Sequence, residues 1–529
     1  MVDSKCLTSK DFNWMIKIKS FLWLMVAAIA GGLAMVSCTS SNDNPIPLVI
    51  PPRDNTPVDY TVMYYSAGGE NLDWDTEYDL LYAAQALQAS DKQIRFIVQY
   101  KYSTQEGLNK QYTGGKVPCG VAGGLYRFEL LPSQIQDNGI LGYFTNNMLY
   151  GSQQEKSKIY RSDSISSFIN YCQRVAPAKN YILMFSDHGS GYVIWDDYPK
   201  TRSIVSDKFN EDDGDIPGIS ICDIRDGIRN SNIKHVKMIN FDACNMNNIE
   251  VLTELMNETD YIMASSFITT GGHYGDLLNN LRGANDDATF EKTMSNYLNI
   301  TTQNIYNKKK EGTANPPCSP ETPKRCDWVL TNMAKFKAVP AAVEAFTTKL
   351  VKENASNFGA TGLDDAATKC YHPSVASCSY DIGQYATLLA KANNNLSAEA
   401  EALKAAIENA QVCHYYTDKV IEDFSSMDYK KLTCTVNLGA KHPDYPTVAC
   451  LRSYSQNNEG KVPCVGSDGN VYYFKGAGLW ENGSAKDYDK DAKWDNSYYT
   501  TAFDKATEWS KWMMKNTCFP TGNPPFLGK

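Results

Sequence analysis

The stretch Asn180-Tyr-Ile-Leu-Met-Phe-Ser-Asp-His188-Gly-Ser-Gly191 sets an apolar run directly before a His and two glycines. It has a counterpart in His235-Val-Lys-Met-Ile-Asn-Phe-Asp-Ala-Cys244, where a second apolar run ends in Asp-Ala-Cys. Apolar-rich runs of this length fit strands covered on both faces of a parallel sheet. Working outward, Tyr60 to Ser66, Ile94 to Tyr102 and Tyr261 to Ala264 share the texture. Helical patterns lie between the runs, at 75–89 and at 162–175, where Ile165, Phe168 and Ile169 share one face. Leu125 to Leu131, after a Gly-rich stretch, reads as a hairpin excursion. Strands alternating with helices predict an α/β fold with a parallel-rich sheet flanked by helices, and chemistry beyond the carboxyl ends of the strands.

Two strand ends carry residues able to do that chemistry. His188 follows its strand directly, at the rim where a general base is needed, and Gly189 lets a backbone N–H approach a ligand closely. Cys244 is expected between a strand and a helix starting at Asn245, with Met246, Ile249 and Leu252 on one face. There the helix dipole and a nearby imidazolium would favour thiolate, the nucleophilic form of cysteine. The two residues are 244 − 188 = 56 positions apart, enough for a strand–helix–strand return. Caspases set their His about 50 residues before the Cys, in the same order. Taken singly, a His in a turn or a buried Cys is more often structural. Ser190 lacks the G-x-S-x-G elbow because position 188 is His. Asp242 either contacts substrate or caps the next helix.

An apolar run ending in His-Gly, followed by one ending in Asp-Ala-Cys, resembles the clostripain-like cysteine peptidases, in the clan of caspases, legumain and gingipains. Tyr60 to Leu72, Tyr261 to Tyr274 and Tyr499 to Trp512 extend the likeness, which is firmest near His188 and Cys244. The resemblance implies a caspase-like fold and peptide-bond hydrolysis through a Cys244 thioester. It implies His188 as base and the N–H groups of Gly189 and Cys244 as oxyanion hole. Clostripain cleaves after Arg, and relatives favour Arg or Lys. Here the loop from Ser265 holds no acid before Asp276, so cleavage after Arg or Lys is an expectation from the resemblance alone. Asp242 and Ser265 are the substrate-binding candidates. Some relatives cut themselves between the two motifs, and the polar interval 196–219, with Lys200, Arg202 and Lys208, is either such a site or an uncut loop. No cofactor is required, although clostripain uses calcium. The acidic cluster Asn210 to Asp215 is either a calcium ligand set or a solvated acidic face, and it does not match an EF-hand. The competing class is a non-catalytic surface lipoprotein binding peptide or glycan on a degenerate peptidase fold.

The ends of the chain carry the address. Lys17 and Lys19 precede the apolar run Phe21 to Val36, which is short for a bilayer span of about 20 residues. The run closes on Met35-Val36-Ser37-Cys38 and resembles a bacterial lipoprotein signal in which Cys38 is lipidated, with Met35 where Leu is usual. This predicts an extracytoplasmic, cell-envelope protein touching the membrane only through that anchor. Its partner is a protein or peptide substrate. The net charge of −9 gives no overall basic field for nucleic acid. The expected organisation is a signal at 1–38, a Pro-rich tether at 39–58, a catalytic domain at 59–300 and a mixed α+β accessory region at 301–529. Within the last, 307–325 reads as a linker, 336–353 and 397–410 as helices, and 501–514 as a Trp-containing helix. Apart from Cys6, Cys38 and Cys244, twelve cysteines remain. Cys318/Cys326 and Cys370/Cys378 could pair, or Cys370, His372, Cys413 and His414 could form a zinc site, though without C-x-x-C spacing.

Overall fold

In the computed structural model the described residues are 56–67, 72–87, 93–102, 124–131, 159–189, 191, 204–206, 218–267, 269, 272–311, 325–353, 370–371, 379–425, 427–437, 441–442, 445–449, 461–465, 471–475 and 501–509. All belong to the compact unit Leu48–Lys529. The first half runs β1 (Val58–Ala67), α1 (Asp73–Ala86), β2 (Ile94–Tyr102), β3 (Gly124–Leu130), α2 (Ser162–Val175), β4 (Ala178–Ser186), β5 (Ile204–Ser206), β6 (Gly218–Ile219), α3 (Ile221–Asn230), β7 (Val236–Asp242), α4 (Ile249–Leu255), β8 (Thr259–Ala264), α5 (Tyr274–Leu281) and α6 (Asp287–Glu311). The second half runs β9 (Asp327–Asn332), α7 (Met333–Phe336), α8 (Val339–Lys352), β10 (Ser379–Asp381), α9 (Ile382–Ala392), α10 (Ser397–Ala410), β11 (Gln411–Tyr416), α11 (Asp418–Phe424), β12 (Thr435–Asn437), β13 (Lys441–His442), β14 (Tyr445–Ala449), β15 (Lys461–Val465), β16 (Val471–Lys475) and α12 (Ala502–Thr507).

Eight strands form one sheet in the order β11-β9-β8-β7-β4-β1-β2-β3. The five inner strands, β8 to β2, are parallel, and β3, β9 and β11 add antiparallel edges. This is the expected parallel-rich α/β sheet, and both faces are covered. Successive side chains alternate faces. Met63, Tyr65, Leu183, Phe185, Ile239 and Phe241 therefore join one core, with residues of α2, α3 and the C-terminal helices. Val62, Tyr64, Ile182, Met184 and Met238 join the other, with residues of α1, α5 and α6. Two covered faces are why the strands read as continuous apolar runs.

The change of texture near residue 300 is not an end of the sheet. Strands from 327–332 and 411–416 extend it past β8. Residues 307–311, read as linker, instead continue α6 to Glu311, as their run of lysines and Glu permits. The last helix stops at Thr507, because Glu508 takes a left-handed φ of 52°; residues beyond 509, like the signal, the tether as far as residue 55 and the acidic cluster at 210–215, lie outside the described residues.

Candidate active site

The sheet register builds the site. Ser66, Ser186 and Asp242 lie side by side at the carboxyl ends of β1, β4 and β7. The next residue of β4 stays engaged, with the Asp187 N–H 3.4 Å from the Asp242 carbonyl. His188 and Cys244 thus stand at matching positions, each two residues past the Ser186–Asp242 pair. His188 is exposed, and its backbone N–H donates to its neighbour Asp187 at 2.5 Å. Cys244 is partly exposed with a free thiol.

Gly189 lies against the Cys244 peptide. A Cβ placed on it would sit 2.4 Å from the Cys244 carbonyl oxygen and 2.9 Å from the Cys244 nitrogen. Its backbone hydrogen bond to the Cys244 sulfur, with two more from the Thr269 backbone and hydroxyl, favours the thiolate. Burial outweighs them and pushes the Cys244 thiol up, and Asp242 adds to the rise. Gly191 follows at φ +63°, where a Cβ would lie 2.7 Å from the Asn245 carbonyl oxygen. So the first glycine is required by lack of space, and the second by both space and backbone conformation.

The expected helix after Cys244 begins later than Asn245. Asn245 itself adopts a left-handed φ of 62°, a conformation Asn tolerates better than most residues. Asn248 caps α4 by accepting from the Val251 N–H at 3.3 Å. Cys244 is therefore more than a turn ahead of the helix, beyond the reach of its dipole. The expected helix-driven thiolate is corrected accordingly, since desolvation governs the sulfur. Asp242 does not cap that helix either.

Asp242 is buried. Its Oδ2 accepts from the Tyr274 hydroxyl at 2.5 Å and the Gly272 N–H at 3.0 Å. Its Oδ1 is buried and has no partner among the described residues. Burial pushes this carboxyl above the ordinary range, against the two hydrogen bonds. Ser265 is fully buried, and its hydroxyl donates to Asp327 at 2.7 Å, so it supports the site's wall and does not face a ligand.

Sequence reasoning missed Thr269, Tyr274, Asn247 and Asp327. None stands in a spaced pattern: Asn247 and Thr269 reach the site from loops, Tyr274 from the start of α5 and Asp327 from the distant β9. Among the described residues no cluster of His, Cys, Asp or Glu could hold a metal. Cys413 and His414, proposed for zinc, are successive strand residues on opposite faces. Cys326 and Cys413 are free thiols, Cys370 is buried, and Cys318, Cys378 and His372 lie outside the described residues.

Residues 152–515 match the Peptidase_C11 family, the clostripain family. The chain belongs to the clostripain family. It is accordingly a cysteine peptidase, a hydrolase acting on peptide substrates. No curated protein matches it. Solved structures similar to this clostripain-family chain include a secreted C11 cysteine protease from Bacteroides thetaiotaomicron in complex with an irreversible peptide inhibitor, at 16% identity over 85% of this chain and 99% of that one, TM-score 0.48. An inactive zymogen C11 protease from Parabacteroides distasonis is similar at 14% identity over 68% of this chain and 85% of that one, TM-score 0.43.

Proposed function

We propose that this peptidase is an endopeptidase that uses Cys244 as nucleophile and His188 as base, cleaves after Arg or Lys, and works outside the cytoplasm on a lipid anchor at Cys38. The observation carrying the reading is the Gly189 backbone packed on the Cys244 peptide, which brings the His-Gly and Asp-Ala-Cys motifs to one point. His188 removes the proton that burial holds on the sulfur, and the thiolate attacks the scissile carbonyl. The Gly189 and Cys244 N–H groups receive the developing oxyanion, worth about 10²–10³-fold per donor in related chemistry. His188 then protonates the leaving amine and activates the water that hydrolyses the thioester.

A preference for basic side chains is supported by Asp242, two residues before Cys244, whose Oδ1 has no partner among the described residues. A buried acceptor of this kind costs free energy until a cation meets it. The test is a fluorogenic peptide panel on the full chain, with Cys244→Ala and His188→Ala as controls. Cleavage after Lys and Arg, lost in both controls, is expected; turnover that survives Cys244→Ala sinks the assignment. Asp242→Asn should lower kcat/KM for basic substrates by about 10- to 100-fold. Since burial raises the Asp242 pKa, basic-substrate cleavage should rise with pH on a limb lying above the ordinary carboxylate range. Asp242→Asn should flatten that limb, and an unchanged profile would remove Asp242 from the pocket. Cys38 and the self-cleavage candidates Lys200, Arg202 and Lys208 lie outside the described residues. Membrane partition that survives Cys38→Ser would end the lipid-anchor reading.

A further inference from the structure

The segment 265–267, just past β8, forms a wall beside the nucleophile turn. The Ser265 carbonyl accepts from the Asn247 N–H at 2.8 Å, and the Phe267 carbonyl accepts from the Asn245 N–H at 2.9 Å. Three residues of turn and three of wall are thus stitched together immediately after Cys244. Holding the wall fixes the turn.

The wall is in turn held from a remote part of the chain. Asp327 Oδ1 accepts both the Ser265 hydroxyl and the Ser266 N–H, each at 2.7 Å. Its other oxygen, Oδ2, lies 2.7 Å from His414 Nε2. Asp327 is completely buried and the His414 side chain is 6% exposed, which leaves the pair almost without water. The two residues come from adjacent antiparallel strands, β9 and β11, at the edge of the sheet. Swapping such a buried polar pair for apolar side chains of similar volume is often neutral or stabilising. Its presence is therefore poorly explained as a source of stability. What it does supply is direction, because both donors on Oδ1 belong to the wall.

We propose that Asp327 is a positioning residue of the peptidase, oriented by His414, which sets the wall at 265–267 and through it the turn that carries Cys244. This deepens the reading of Cys244 as the peptidase nucleophile and rests on it. Asp327 touches no reacting atom; it acts through Ser265, Ser266 and the Asn245 and Asn247 hydrogen bonds. The remote strands thereby become part of the catalytic apparatus and not merely an accessory to it.

The test compares His414→Leu with His414→Gln in the full chain. Activity is expressed per Cys244 able to react with iodoacetamide, so that unfolded molecules do not count. A merely structural role lowers the number of reactive sites but leaves turnover per site unchanged. Positioning lowers turnover per site. His414→Leu is expected to lose about 10- to 100-fold in kcat/KM per site, the scale of a hydrogen bond to a charged group. His414→Gln, whose amide N–H can still meet Asp327, is expected to stay within about threefold of wild type. Equal losses in both variants, or His414→Leu within threefold of wild type, overturn the proposal. If His414→Leu yields no reactive Cys244, Ser265→Ala carries the test: a loss of about tenfold per site supports it and a value within threefold overturns it. Wild-type protein that reacts at Cys244 yet cleaves no peptide would sink the nucleophile reading and this inference together. Active wild type with silent His414 and Ser265 variants would sink the inference alone.

Discussion

Gly189→Ala is the most direct probe of the site, because the structure gives its size. The added Cβ would stand 2.4 Å from the Cys244 carbonyl oxygen, 2.8 Å from the Ala243 Cβ and 2.9 Å from the Cys244 nitrogen. Ordinary contacts begin at 3.4 Å, so the two peptides must separate by 3.4 − 2.4 = 1.0 Å. The obstacle is backbone, and no side-chain rotation relieves it. A displacement of about 1 Å at reacting groups costs roughly 10²-fold in rate, about 2.7 kcal/mol of transition-state stabilisation. Overpacking also costs roughly 1–3 kcal/mol of stability, so a control with the same fault elsewhere is needed. Gly227→Ala provides it. Its Cβ would meet Ile165 at 2.6 Å, where α3 packs on α2, and neither helix carries His188 or Cys244. Peptide cleavage per iodoacetamide-reactive Cys244 should fall about 100-fold in Gly189→Ala and stay within about twofold in Gly227→Ala. Equal effects, or a Gly189→Ala enzyme within threefold of wild type, would refute the geometry argued for the site.

Two further predictions concern titration. Because burial raises the Cys244 pKa, iodoacetamide labelling of the free enzyme should climb with pH through and beyond the ordinary cysteine range. A plateau already reached near neutral pH would instead indicate a preformed thiolate–imidazolium pair. The buried Asp381 carboxyl is pushed up to about 7 by desolvation, against hydrogen bonds from Gln384, Thr433 and Gly383. Its folded pKa exceeds its unfolded value, so its contribution to stability is fully present below about 3.8 and is lost as pH rises through about 7. Denaturation across pH 4–8 should show that decline in wild type and a shallower one in Asp381→Asn; identical slopes would remove Asp381 as its source.

The inner sheet is legible in the sequence for a physical reason. Strands covered on both faces read as near-continuous apolar runs; 182–185 carries that signature unaided, and 236–241 carries it with Lys237 and Asn240 interrupting. The helix at 162–175 is equally plain, since its buried positions repeat at the helical period. The edge strands are not legible. Asp-Trp-Val-Leu-Thr-Asn at 327–332 and Gln-Val-Cys-His-Tyr-Tyr at 411–416 are short and mix polar with apolar residues, the first almost wholly buried between β8 and β11 and the second half-buried at the edge. His188 and Cys244 stand out because each closes an apolar run. Asp327 and His414 do not, because a side chain that works through hydrogen bonds to a distant loop leaves no periodic mark. The late start of α4 was hidden for a similar reason: Asn245 and Asn248 read as ordinary polar helix residues, whereas one takes a left-handed turn and the other a cap.

The strand order explains why the support for Cys244 lies so far along the chain. β4 and β7 are flanked by β1 on one side and β8 on the other, and the first half of the chain supplies nothing beyond β8. A wall at the end of β8 needs a neighbour on its outer side, and among the described strands β9, backed by β11, occupies that place. The same logic holds behind the nucleophile turn. There the Thr435 N–H donates to the Asn247 carbonyl at 3.0 Å, and the Asn247 side chain donates to the Thr433 carbonyl, also at 3.0 Å. Asn247 therefore ties together the turn, the wall and a segment 186 residues away. In a parallel sheet the reactive ends of adjacent strands arise from distant crossovers, and the outermost supports come later still in sequence. The catalytic geometry is then a property of the completed sheet, edges included, and not of the two motifs alone.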